Sequence, residues 1–162
     1  IVACHLKSDT DMDLIENSRF DAELNEKLAT SGFRFTAQRR NVYNVLVHKR
    51  DHPTAEEVFI RSKAEMPDIS MATVYNCLDA LVKCGLVKQV SHDSAAKRFC
   101  SNMQEHCHYY CTDCNRVFDI DLKEKPRVPE ADLPENFKPD QIDVSMRGRC
   151  PDPDCAPNHG KD

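Results

Sequence analysis

The chain has 162 residues, 40% apolar and 30% charged, with a net charge of −5; that composition supports a packed core and excludes a wholly disordered chain. No apolar run approaches the ~20 residues needed to span a bilayer, and the N-terminal IVACHLKSDTDMDLIENS lacks the basic-then-apolar layout of a secretory signal, so a cytoplasmic protein with no membrane partner is expected. Nine cysteines, an odd number crowded toward the C-terminal half, suggest metal or redox chemistry in a reducing compartment rather than a secreted disulfide framework.

Charge is uneven along the chain. Residues 33–50 carry five basic side chains (Arg34, Arg39, Arg40, Lys49, Arg50) and no acid, whereas residues 119–143 carry eight acids against four bases. The first stretch suits an anionic partner and the second repels one, although a merely solvated basic helix face has the same composition.

In chain order, Ser18 is a candidate N-cap for a helix through DAELNEKLAT, ended by Gly32. Thr36 can cap AQRRNVYNVLVHK, and Thr54 opens a capping box, T-A-E-E, for a third helix. A fourth helix is expected from Ser70, after Pro67, with Val74, Leu78, Leu81 and Val82 on one stripe and Gly85 at its end. That spacing leaves Thr73, Tyr75, Asn76 and Asp79 for solvent or a ligand. Two strand-like pieces follow, LVKQVS and KRFCS, joined by HDSAA. Helices followed by a hairpin describe a winged helix-turn-helix, with a non-binding helical subdomain as the rival.

Beyond residue 104 the pattern turns to short strands, HYYC, RVFDIDL and QIDVSMRG, with Pro126, Pro129 and Pro134 opposing a long helix between the last two. The fold class is therefore α+β: an N-terminal extension at 1–17, a winged-helix unit at 18–101, a small α/β unit at 102–155, and a tail at 156–162.

Cys111-x2-Cys114 and Cys150-x4-Cys155 supply four thiolates, the number that a closed tetrahedral zinc site demands. A small strand-rich unit has little core of its own, so a metal staple would supply folding energy. A redox CxxC would sit in a βαβ pattern that is absent here. His106 and His108 lie two apart on a predicted strand, so both point to one face while Cys107 points to the other. They can share a second metal, with Cys100, Asp119, His52 and His92 as candidates to complete it; a histidine pair without metal is the alternative.

The stretches FRFTAQRRNVYNVL, HPTAEEVF, ISMATVYNCLDALVKCGLV, KRFC, HCHYYCTDC, VFDID and GRCPDPDC, in this order and spacing, resemble the ferric uptake regulator (Fur) superfamily of metal-dependent repressors over residues 32–155. The resemblance implies a homodimer that binds palindromic double-stranded DNA, with structural zinc in the two cysteine pairs and a regulatory divalent metal near the hinge. It makes residues 70–84 the recognition helix, with Tyr75 on bases beside Thr73 and Asn76, Arg39 on phosphate and Arg34 at a minor groove; arginines position a duplex while an aromatic edge and an amide read it. A half-buried helical tyrosine is the other reading of Tyr75. The regulatory ligands become His52, Cys100, His106, His108 and Asp119.

Two positions depart from the family pattern. The second cysteine pair encloses four residues where two are usual. Cys100 stands where iron-sensing and peroxide-sensing members carry a carboxylate and where zinc-uptake regulators use a cysteine; thiolate with imidazoles favours zinc over iron or manganese. Asn76, His52 in HPTAEE and Asp119 resemble peroxide-sensing relatives instead, and Cys100 as a buried spectator stays open. No histidine occurs in residues 137–149, so two metals per subunit are expected. The rivals from other classes are a zinc hydrolase using His106, His108 and Asp119, for which HExxH and HxE with PCxxC are missing, and a zinc-stapled interaction module without DNA affinity.

Overall fold

The computed structural model describes residues 9–91, 96–121, 136, 138, 144–153 and 155, with side chains from Arg19 onward. The HDSAA connector (in part, with His92), the proline-rich stretch and the 156–162 tail lie outside the described residues. Four helices come first: α1 (Asp9–Thr30), α2 (Ala37–His48), α3 (Ala55–Ser62) and α4 (Met71–Lys83). Five strands follow: β1 (Lys88–Val90), β2 (Arg98–Cys100), β3 (His106–Cys111), β4 (Val117–Asp121) and β5 (Ser145–Gly148).

The beginning of α1 corrects the expectation at Ser18, because the helix starts nine residues earlier, at Asp9, and Ser18 lies inside it. No proline or glycine interrupts residues 9–30. The other end agrees with the sequence. Gly32 takes a positive φ of 77°, Gly32 N–H donates to Ala29 O at 3.0 Å and Phe33 N–H to Leu28 O at 2.8 Å, the two bonds of a Schellman cap.

The remaining helix starts form as the capping residues dictate. Thr36 accepts from Arg39 N–H, Ser70 accepts from Thr73 N–H, and Thr54 with Glu57 completes a reciprocal capping box. Gly85, at φ 66°, closes α4 with the same pair of bonds, from Gly85 N–H to Val82 O and from Leu86 N–H to Leu81 O, both 3.0 Å. Val42 and Leu46 of α2, Val58 of α3, and Val74, Leu78 and Leu81 of α4 meet in one buried core with Leu24 and Leu28 of α1 and Phe99 of β2. Truncating Leu81, which is fully buried, to alanine costs on the order of 2–5 kcal/mol.

The hairpin β1–β2 is antiparallel, with Gln89 opposite Phe99; docked on α4 through Phe99, it is the wing of a winged helix. Ser101 leaves it with its hydroxyl donating to Leu46 O at 2.9 Å. The second sheet has the order β4-β3-β5. The β3–β4 pair is antiparallel and sets His108 opposite Asp119, while β5 runs parallel to β3. A Cβ at Gly148 would meet the Tyr109 hydroxyl, so a larger residue where the chain turns toward Cys150 would have to displace that ring. No helix among the described residues is long and apolar enough to cross a membrane.

Candidate metal centres

The four-cysteine group sits at one end of the second sheet. Cys111 ends β3, Cys114 lies in the β3–β4 turn, and Cys150 and Cys155 follow β5. Cys111 and Cys155 Sγ are 3.5 Å apart, Cys114 and Cys150 Sγ 3.8 Å. Sulfurs at about 2.3 Å from a tetrahedral zinc are about 3.8 Å from one another, so the donor set fits that ion. The surroundings favour thiolate at Cys111 and Cys114, whereas the side-chain hydrogen bond with Cys150 and then burial raise the Cys155 thiol. Burial opposes ionisation of Cys111, but hydrogen bonds from the Cys114, Cys150 and Asp113 backbone prevail and bring its pKa down to about 6. The Cys114 thiol is lowered against its burial by Arg116, whose Nε lies 3.2 Å from Sγ. Arg116 Nη1 also donates to Asp152 Oδ2 at 2.7 Å, and Cys155 N–H to Asp152 O at 3.0 Å.

The mixed group draws on both parts of the chain. His52 precedes α3, Cys100 ends β2, His106 and His108 share one face of β3, and Asp119 faces them from β4. One ligand atom from each lies within 4.8 Å of all the others. Asp119 Oδ1 is 2.8 Å from His52 Nε2, 3.2 Å from His106 Nε2 and 3.7 Å from His108 Nε2. Cys100 Sγ is 3.5 Å from His106 Nε2, and the two strand histidines approach at 3.0 Å between Nε2 atoms.

Proton positions follow from the surroundings. Gln104 O, which only accepts, lies 2.7 Å from His106 Nδ1; the ring proton is therefore on Nδ1 and the Nε2 lone pair faces the centre. His52 is 2% exposed, yet neither ring nitrogen makes a well-formed hydrogen bond. The short approach to Asp119 is misaligned for one, so close distance and hydrogen-bond geometry disagree here, as they do when donors aim at a common point instead of at each other. Facing lone pairs on imidazoles, thiol and carboxylate fit a divalent cation.

Electrostatics agree with that use. Burial, with neighbouring His106 and His52, depresses His108 to about 4, and burial lowers His52 against the pull of Asp119; both rings are neutral ligands near pH 7. Burial works against ionisation of Asp119, but the Asn102 amide and the three imidazoles hold its carboxyl below the usual range. Burial, aided by Asp119, pushes the Cys100 thiol up to about 11, so cation uptake there displaces a proton.

His52 also has a strained backbone, with φ at +52°, a conformation costing on the order of 1–3 kcal/mol for a non-glycine residue. Arg98 Nη1 donates to its carbonyl at 2.9 Å. Arg98, Asn102 and Arg116 escaped sequence reasoning; only proximity to Cys100 and Cys114 marked them, and their partners are set by tertiary approach. The predicted candidate His92 falls outside the described residues.

The residues expected to touch DNA lie on the helical part. Tyr75 is 47% exposed and its hydroxyl donates to Glu56 Oε1 at 2.9 Å; Asn76 is exposed beside it, and Thr73 Oγ1 lies 2.8 Å from Ser70 Oγ. Arg34 is exposed and its carbonyl accepts from Arg39 Nη1 at 2.7 Å, while the Arg39 guanidinium stacks over Phe33. The basic run is less open than its sequence suggests, because Arg40 pairs with Asp21 and Lys49 with Asp51.

Comparison with known proteins agrees with this architecture. The chain is 31% identical over 118 residues to the "Peroxide-responsive repressor PerR" of Staphylococcus epidermidis, covering 71% of this chain and 79% of that protein. Among solved structures, the Helicobacter pylori ferric uptake regulator Fur, described as having three functional metal binding sites, superposes with a TM-score of 0.62 at 20% identity, over 80% of this chain and 88% of that one. The Campylobacter jejuni peroxide stress regulator gives 0.56 at 25% identity, over 80% and 94%. The sequence profile of the "Ferric uptake regulator family" matches residues 30–147, and the chain belongs to that family of metal-responsive regulators.

Proposed function

We propose that the protein is a homodimeric, cytoplasmic transcriptional repressor whose affinity for palindromic DNA rises when a divalent metal, zinc in the first instance, occupies the mixed cluster. The observation that carries this reading is the origin of the ligands: His52 from the helical part, Cys100 from the wing, and His106, His108 and Asp119 from the second sheet, all converging on one point. A bound ion would supply a positive centre, with His52, Cys100, His106, His108 and Asp119 as the residues that would hold it. The chain's own share is to convert that local order into one relative orientation of the winged helix and the sheet, which a ligand favouring that state stabilises. In this reading residues 18–101 form the DNA-binding unit and residues 102–155 the dimerisation unit. Orientation sets the spacing of the two recognition helices, and half-sites on one duplex face lie about 34–36 Å apart or a multiple of that. Cys111, Cys114, Cys150 and Cys155 hold a structural zinc; Tyr75, Asn76 and Thr73 face bases, and Arg34 and Arg39 the backbone.

Zinc added to metal-depleted protein is expected to tighten binding to a palindromic duplex by about 5–150-fold, measured by fluorescence anisotropy. Affinity indifferent to every divalent metal would sink the proposal. A second reading, an iron- or manganese-loaded peroxide sensor, draws on the likeness to the PerR repressors. Elemental analysis of protein purified from its native host, before and after peroxide exposure, separates the two: zinc that persists supports the first, iron that is lost with oxidation of a histidine ligand supports the second.

A further inference from the structure

We propose that Arg98 is a positioning residue that holds the backbone of His52 in its strained form, and so makes metal capture and wing placement a single event; this rests on the reading of the mixed cluster as a metal site. His52 is buried, takes a positive φ of 52°, and is followed by Pro53, which restricts the residue before it. A conformation so unfavourable persists only where its surroundings over-determine it.

On the backbone side those surroundings are the Arg98 side chain and its strand. Arg98 Nη1 donates to the His52 carbonyl at 2.9 Å and lies 3.4 Å from Glu57 Oε2. Glu57 in turn accepts from Thr54 N–H at 2.7 Å, closing the capping box that starts α3. Along the same strand, Arg98 forms an isolated bridge with Thr54, and Phe99 N–H donates to Pro53 O at 3.0 Å. Two residues after Arg98 stands Cys100, whose thiol joins the mixed cluster. The short strand β2 therefore fixes one cluster member through Arg98 and contributes another itself. A guanidinium can bridge a carbonyl and a carboxylate in one plane, which a lysine ammonium reproduces only in part.

The test is a double-mutant cycle on the full chain, with the four-cysteine site loaded and zinc affinity at the mixed site read by competition with a chromophoric chelator. Arg98→Met is expected to weaken zinc binding by about 10–100-fold, Arg98→Lys by less, and the ratio of DNA affinities with and without zinc should shrink in the same order. In a His52→Ala background, Arg98→Met should add less than about twofold, since the two act through one interaction. Equal losses in both backgrounds, or unchanged zinc affinity in Arg98→Met when the wild-type chain takes up two ions, would overturn the proposal. Should Arg98→Met fail to fold, Arg98→Lys enters the same cycle with the same criterion. A wild-type chain that takes up one ion overturns the reading of the cluster itself, a separately visible result.

Discussion

The two candidate metal clusters differ in where their donors come from, and under the proposed function that difference separates a staple from a switch. The four cysteines belong to one sheet and its flanking turns, so an ion there holds together residues that must be neighbours for the sheet to exist. The mixed group collects donors from the segment before α3, from the wing and from the sheet; an ion there joins parts that each have their own reasons to fold. The buried apolar core lies almost wholly among α1–α4 and the wing, whereas among the described residues the sheet offers only Cys107, Cys111 and Val117 as buried apolar residues. One part is held by hydrophobic burial, and the other would gain most from a metal staple.

The largest effect expected is from Cys114→Ser. Structural zinc contributes apparent binding energies on the order of 10–16 kcal/mol, comparable to the stability of a whole domain. The variant should lose one zinc by elemental analysis and the ordered signal of Tyr109 and Tyr110 in near-ultraviolet circular dichroism, while the helical far-ultraviolet signal survives. A variant with intact sheet and full zinc content would erase the distinction drawn between the clusters.

A smaller effect sharpens the other side. Cys100→Ser should lower zinc affinity at the mixed site by about 10–100-fold without changing the first zinc or the melting behaviour by more than a few degrees, and Cys100→Asp should shift preference from zinc toward manganese, because a hard oxygen replaces a soft sulfur. Competition between the two metals, followed by elemental analysis, reads the shift; identical selectivity in Cys100→Asp would make Cys100 a bystander. The smallest effect is local to the helical part: Thr54→Ala removes half of the capping box and should cost about 0.5–2 kcal/mol in thermal unfolding, with metal stoichiometry untouched.

Much of this was legible from residue types with local consequences. Thr36, Thr54, Ser70, Gly32 and Gly85 act through neighbours within a few positions, so their caps and turns could be read directly, as could the alternation that puts His106 and His108 on one face. The start of α1 was misread because a good capping residue, Ser18, is overridden where nothing upstream stops the helix. Pairing that depends on distant chain segments left no local mark: Arg40 with Asp21, Arg98 with the His52 carbonyl, and the parallel alignment of β5 on β3. The positive φ of His52 likewise left no mark in the sequence.

Strand β3 carries His106 and His108 toward one cluster and ends in Cys111 of the other, about 10 Å further along from His108. Under the proposed function the sensing donors are mounted on a strand whose far end a thiolate-bound ion would anchor, so the dependence would run one way. Maturation would then have an order: the thiolate-bound ion would be acquired first, and a copy synthesised when that ion is scarce would be deaf to the signal however abundant the second metal became.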